Sequence, residues 1–293
     1  MAIASVSTIE SSRADLHGGP AVKFSDVSVG FDEGEVLRGI SFAVAERETL
    51  VLLGETGTGK TLTLKLAAGL LRPSAGKVEV LGEDVSGMTE RELLEFRRKI
   101  GFVFQEGALF DSMTVEENVA YRLREEQVPE AEIAPRVEEV LEFVELEHTQ
   151  EMLPSELSGG MRRRVSIARA LVSRPEIVLY DSPTAGLDPV TAQTIITLIL
   201  RLRDFYGVTS LLATHRLQDG FALANFRFDT KEKSVVRNPK GARAAAITRF
   251  IVYRHLEGRN EAGNEGYDNG IYFDGTPEEV MASKDPYIRR FLV

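Results

Sequence analysis

Three features of the sequence predict an α/β protein built round a phosphate-binding loop. The first is the octapeptide Gly54-Glu55-Thr56-Gly57-Thr58-Gly59-Lys60-Thr61, entered from the apolar run Leu50–Leu53 and left through the helix-forming stretch Leu62–Leu70. The second is a set of short apolar runs that each end on polar residues: Ile100–Phe104 before Gln105, Ile177–Tyr180 before Asp181, and Val208–Ala213 before Thr214 and His215. The third is the helical spacing between such runs, as in Ile133, Val137, Val140, Leu141 and Val144. Strands alternating with helices build a mostly parallel sheet, and the carboxyl ends of its strands gather ligand groups.

Composition narrows the class. A chain of 293 residues, 43% hydrophobic and 27% charged, buries a sizeable core as one large domain with appendages. Charge interrupts the apolar runs well before the roughly 18 residues a membrane span requires, and no basic start leads into an apolar core, so a cytoplasmic location is expected. There is no cysteine, which excludes disulfides and thiolate metal sites. With 45 acidic against 35 basic residues the net charge is -10, which argues against a broad nucleic-acid surface.

Residues 1–20 are rich in Ser, Ala and Gly without periodicity and read as a flexible tail. Val22, Phe24, Val27 and Val29, then Val36–Val44, alternate as two or three antiparallel strands. Phe31 lies between them, as a packing residue or as an aromatic that stacks on a purine base. In the octapeptide the glycines let successive N–H groups curl round a polyphosphate while the helix that follows adds its positive end. Gly54, Glu55, Thr56, Gly57, Thr58, Gly59, Lys60, Thr61 and Leu62 are therefore the candidate nucleotide-binding residues, with Lys60 as cation and the Thr61 hydroxyl as magnesium ligand. A chance glycine-rich turn is the alternative.

A turn at Gly69, Pro73 and Gly76 precedes a strand over Lys77–Leu81, and a helix is predicted over Thr89–Lys99. Residues 106–114 read as a loop that senses ligand at one end and a partner at the other. Ser158 stands as a helix cap before Gly159 and Gly160, so that helix start is a second anion site, although Arg162, Arg163, Arg164 and Arg169 also suit a solvated basic face. Asp181 at a strand end reaches magnesium. Gly186–Pro189 turns into a helix running to about Tyr206. Residues 231–256 carry seven basic residues against Glu232 alone, and residues 231–270 read as an inserted surface excursion with a short helix near Ala242–His255. A strand over Ile271–Asp274 and helices over Pro277–Ala282 and Pro286–Leu292 close the chain.

Taken in order, these motifs resemble the ATP-binding subunit of an ABC transporter over nearly the whole length apart from residues 1–20 and the insert at about 231–270. Leu157-Ser158-Gly159-Gly160-Met161 resembles the ABC signature, which little else places shortly before an aspartate-ended strand. The resemblance implies an ABC-type P-loop ATPase core with an antiparallel β subdomain and a helical signature subdomain over about 106–175. It assigns Phe31 to base stacking, Gln105 to the Q-loop and to the metal with Thr61 and Asp181, Asp188 to the D-loop, and His215 to the switch. It also implies ATP and Mg2+ as ligands, a second copy packed head to tail so that Ser158–Gly160 faces the partner's nucleotide, and an integral membrane permease. Phe104–Val115, the signature ending in Met161, and Gly275–Val280 further resemble the ATPases of MCE-type, Mla-like lipid transport systems. That finer likeness implies a hydrophobic cargo, a small regulatory subunit, an MCE protein, and a place on the cytoplasmic face of the inner membrane.

One position departs from the family. The glutamate that follows the Walker B aspartate is here Ser182, whose hydroxyl orients water but is far too weak an acid to act as a base near neutral pH. Glu55 and Glu106 lie in loops where a substitute acid is conceivable. Two functions follow: a transport ATPase relying on Lys60, Gln105, Asp181, Ser182 and His215 with reduced turnover, or an ATP-gated regulatory dimer that scarcely hydrolyses. A soluble ABC protein acting on ribosomes or DNA fits less well, because paired cassettes or a long coiled coil are not visible.

Overall fold

The computed structural model describes residues 19–31, 34–239, 248–259 and 265–292. The alternation near the start becomes β1 (Val22–Phe31) and β2 (Gly34–Val44), antiparallel, with bulges between Phe24 and Val27 and again between Val27 and Val29. After β3 (Thr49–Leu53) and α1 (Lys60–Ala67), β4 (Ala75–Val80) and β5 (Glu83–Asp84) complete a four-stranded sheet in the order β2-β1-β4-β5. Phe24 and Phe42 stack at 4.6 Å across its buried face. The outlying helix α2 (Glu90–Phe96) begins at a capping box between Thr89 and Glu92.

β6 (Ile100–Val103) leads into three helices, α3 (Val115–Glu125), α4 (Glu130–Phe143) and α5 (Gly159–Leu171). The chain then returns through β7 (Ile177–Asp181), α6 (Pro189–Tyr206), β8 (Thr209–Thr214) and α7 (Leu217–Asn225). The sequence reading passes over α3, although Thr114 and Glu117 form the reciprocal cap that marks its start. Its apolar positions are few, and charge on the outer face obscures the period.

The expected surface insert contains a strand of the main sheet. A hairpin, β9 (Phe226–Asp229) and β10 (Ser234–Arg237), is followed by β11 (Thr248–Arg259) and β12 (Glu265–Gly275). The six-stranded sheet runs β12-β11-β3-β8-β7-β6, parallel except for β12. The helix expected near Ala242–His255 is thus a strand over 248–255, and 240–247 lie outside the described residues, as do 1–18 of the expected tail. Thr248-Arg249-Phe250-Ile251-Val252-Tyr253 is β-branched and aromatic, and the basic residues beside it mask that run. Two short helices end the chain, α8 (Pro277–Ala282) and α9 (Pro286–Arg289).

This sheet separates two apolar layers. Val51 and Leu53 of β3, Val178 and Tyr180 of β7, and Phe250 and Val252 of β11 face one, while Leu50, Leu52, Ile177, Leu179, Ile251 and Tyr253 face the other. Burial on both faces is why β3 reads as a continuous apolar run. Gly220 of α7 admits Phe250, since a Cβ there would lie 2.5 Å from the ring. Because Phe250 is wholly buried, Phe250→Ala is expected to destabilise the protein by about 3–5 kcal/mol in denaturant unfolding. A surface excursion would register below about 0.5 kcal/mol.

Candidate nucleotide site

The turn from β3 into α1 bends through Gly57 (φ 86°) and Gly59 (φ 96°), in the left-handed region that favours glycine. The Lys60 ammonium folds back into this turn, donating to the carbonyls of Gly54 at 2.8 Å and Glu55 at 2.6 Å. Burial lowers its pKa to about 8, partly offset by the charges of Asp181 and Glu55. The loop is braced from β11 and β12. Thr63 Oγ1 donates to the Gly59 carbonyl and lies 2.9 Å from the buried Tyr253 hydroxyl, while Asn269 Nδ2 donates to the carbonyls of Val36 and Gly57 at 2.7 and 3.2 Å. Thr58, wholly buried, donates to the Glu55 carbonyl at 2.8 Å.

Asp181 ends β7 beside this cradle. Thr61 Oγ1 donates to Asp181 Oδ1 at 3.0 Å. Burial raises the Asp181 pKa, against the hydrogen bond from Thr61 and the charge of Lys60. A buried carboxylate and a hydroxyl side by side supply the hard oxygens that magnesium takes, and a cation there would relieve the burial penalty, so the residues present fit that ion. Ser182 follows with φ 46°, an uncommon backbone for serine, its N–H donating to the Ala213 carbonyl at 2.8 Å. His215 and Gln105 stand exposed at the ends of β8 and β6. Phe31, at the end of β1, is 51% exposed, so it is not the ordinary packing residue that the sequence allows. Of the two acids considered as substitutes for the missing glutamate, the Glu55 carboxylate lies 3.6 Å from Arg290, and Glu106 is exposed.

Ser158 caps α5, its Oγ accepting from the Met161 N–H at 3.2 Å. The two glycines after it differ. Gly159 has room for a side chain, whereas a Cβ on Gly160 would meet Thr191 Cγ2 at 2.3 Å. Asp188 caps α6, accepting from the Val190 and Thr191 N–H groups at 3.0 Å, and those bonds with the Thr191 hydroxyl hold its pKa below the usual carboxylate range. Three of the four arginines of α5 turn to neighbouring carbonyls, and Arg162 alone is exposed. Arg163 donates to the Phe104 carbonyl at 2.7 Å, Arg169 to those of Gly107 and Ala108 at 2.8 and 2.7 Å, and Arg164 to that of Val144 at 3.0 Å. Arg162 closes on its own helix start through the Leu157 carbonyl. The sequence reading misses this because a run of arginines looks the same whether its donors meet water or a neighbouring loop.

Residues 37–185 match the family described as ABC transporter. The chain belongs to the ABC transporter family. Relatives of this cassette include the methionine import ATP-binding protein MetN of Rhizobium johnstonii, 37% identical over 74% of this chain and 60% of that protein. Another is the methionine import ATP-binding protein MetN 2 of Paraburkholderia xenovorans, 40% identical over 68% of this chain and 53% of that protein. The chain therefore spans less than two thirds of the length of these relatives. Among solved structures, the dimeric post-hydrolysis ATP-binding cassette MJ0796 with ADP and Pi is 27% identical with a TM-score of 0.69, covering 87% of this chain and 98% of its own. The cbiO1 protein of Clostridium perfringens, part of the ABC transporter complex cbiONQ, is 25% identical with a TM-score of 0.71, covering 91% of this chain and 92% of its own.

The ABC fold predicted from the motif order is thus the fold observed. Tyr253 and Asn269 brace the loop and are not singled out by the sequence, and Arg163 and Arg169, which it reads only as part of a basic run, hold backbone near Gln105; each meets its partner only through folding. In this ABC cassette the Gly160–Thr191 contact gives a direct test. Gly160→Ala is expected to lower stability by about 1–3 kcal/mol through overpacking. Thr191→Ser, which removes the clashing methyl and keeps the hydroxyl on Asp188, should restore most of the loss in thermal unfolding.

Proposed function

We propose that this protein is the ATP-binding and ATP-hydrolysing subunit of an ABC transporter, acting as a head-to-tail pair on a separate membrane permease. The observation that carries the reading is the convergence of Lys60, Thr61 and Asp181 at one sheet edge, with the Ser158 helix start on a different subdomain. Phe31 would stack on the base, and the N–H groups of residues 57–62 with Lys60 would hold the phosphates. Thr61, Asp181 and Gln105 would hold Mg2+, which neutralises charge on the phosphate oxygens. Ser158–Gly160 and Asp188 of a second copy would complete the site, so that nucleotide favours the closed pair and hydrolysis removes that preference.

Ser182 and His215 orient the attacking water, and neither supplies the carboxylate usual at position 182. Phosphoryl transfer depends mainly on positioning and charge, so turnover persists at a reduced rate. The ATP-gated regulator is the second reading, favoured by that same serine. A groove of about 620 Å³ beside the Gln105 loop, lined by Leu70, Leu94, Phe104, Phe110 and Tyr121 among others, supports a permease contact there. Leu70 is 46% and Leu94 61% exposed, more apolar surface than a solvated cassette needs. Among the described residues no helix is long and apolar enough to cross a membrane, which suits peripheral attachment at the cytoplasmic face.

Two observations bear on cargo. The relatives above are named for methionine import, and that likeness extends over 68–74% of this chain. The likeness to MCE-type lipid systems lies in Phe104–Val115, the loop facing the permease, and in Gly275–Val280; no relative reported above carries such a name. We take hydrophobic cargo, with an MCE protein and a small regulatory subunit as further partners, from the permease-facing loop, and methionine import from the relatives. Reconstitution with the neighbouring permease, comparing stimulation of phosphate release by phospholipid and by methionine with its binding protein, decides between them.

Steady-state phosphate release should exceed that of Lys60→Ala, and Ser182→Glu should raise it by about 10²-fold, the low end of what a positioned base contributes. Wild type equal to Lys60→Ala beside an active Ser182→Glu would falsify the enzyme reading in favour of the regulator. The lowered Lys60 pKa gives a second test. Above about pH 8 the free site is losing its proton, and a polyphosphate draws the ammonium form back, so ATP binding takes up protons and weakens as pH rises. Calorimetry at pH 8.5 in buffers of different ionisation heat should show uptake that Lys60→Arg removes.

A further inference from the structure

Asp219, in the first turn of α7, is 3% exposed. Its Oδ2 accepts from two hydroxyls, Thr184 Oγ1 at 2.5 Å and Thr214 Oγ1 at 3.2 Å. Both threonines are themselves about 1% exposed. Thr184 stands two residues beyond Ser182, and Thr214 immediately precedes His215. The Thr214 hydroxyl also accepts from the Arg216 N–H at 2.9 Å, and Arg216 Nε lies 3.7 Å from Asp219 Oδ1. The hydroxyl of the residue before His215 therefore accepts from the backbone N–H of the residue after it, and it shares a carboxylate oxygen with Thr184 of the loop that carries Ser182.

Stability does not account for this arrangement. A buried polar cluster replaced as a whole by packed apolar side chains is often no less stable. What an apolar residue cannot do is hold two loops at one distance through directional bonds. The loops in question are the ends of β7 and β8, which adjoin through the bond from Ser182 N–H to the Ala213 carbonyl. With no carboxylate at position 182, water orientation falls to groups whose placement is all they contribute.

We propose that Asp219 is a positioning residue for hydrolysis, clasping the Ser182 and His215 loops through Thr184 and Thr214. The inference rests on the hydrolysis reading above and adds how its weakest element is held. Asp219 touches neither water nor phosphate; it acts through the two threonines.

The test is steady-state phosphate release by the full chain with Mg2+ and ATP, together with hydrogen–deuterium exchange of the same protein without nucleotide. Asp219→Ala should lower kcat about tenfold or more, as misplacement of reacting groups does, with KM within about twofold. Thr184→Val, nearly isosteric, should do the same, and adding it to Asp219→Ala should cause little further loss, the mark of one coupled unit. Asp219→Asn, which keeps an acceptor oxygen, should recover part of the rate. Exchange should rise at residues 182–186 and 214–216 together in Asp219→Ala and in Thr184→Val. Unchanged kcat in these variants, or losses that multiply, overturns the clasp. Where wild type turns over no faster than Lys60→Ala, hydrolysis is the reading that has failed. Exchange then decides the clasp by itself: a coordinated rise upholds it, and a rise in neither loop or in only one overturns it.

Discussion

A buried ammonium organises this molecule. Lys60 leaves water to sit among the carbonyls of its own loop, and a pKa near 8 records how incompletely those dipoles replace hydration. Asp181 is in the opposite position, a carboxylate whose burial opposes its charge although Thr61 and Lys60 favour it. A lysine folded among carbonyls and a buried carboxylate, side by side, suit a magnesium–polyphosphate pair. The rest of the fold holds that tension in place. β3 delivers the loop from the middle of a sheet buried on both faces, and Tyr253 and Asn269 brace it from the strands alongside.

The second element is mechanical. Arginines on α5 donate to the carbonyls of Phe104, Gly107 and Ala108, on either side of Gln105, so that helix and the Gln105 segment form one hydrogen-bonded unit. Guanidinium groups suit the task because a planar fork of donors reaches two carbonyls at once. On the other side of the site, the Asp219 network links the Ser182 loop to the His215 loop, so each segment that borders the phosphates is tied to another.

The turn of the candidate phosphate loop is legible in the sequence, because such a loop needs glycine at its left-handed turns and a cation at a set spacing. Gly57, Gly59, Lys60 and Thr61 meet those demands locally, within a single turn. The same is true of Ser158, whose capping role is read from the residues that follow it, whereas the cap that Asp188 forms on α6 comes from the structure. α3 carries a capping box, but its few apolar positions show no clear helical period. The segment 231–270 misled for a different reason: its basic residues suggested a solvated surface, while Phe250 and its neighbours held a place in the central sheet.

The chain by itself determined the order of its motifs, the α/β class and the serine at position 182, since each is a property of neighbouring residues. Only the tertiary structure decided that β11 lies beside β3, that Gly160 is required by Thr191, and that a run of arginines and one buried aspartate act as ties. The reason is common to all three. A hydrogen bond or a van der Waals contact between residues tens of positions apart depends on where the sheet carries their backbones, and no local pattern encodes that distance.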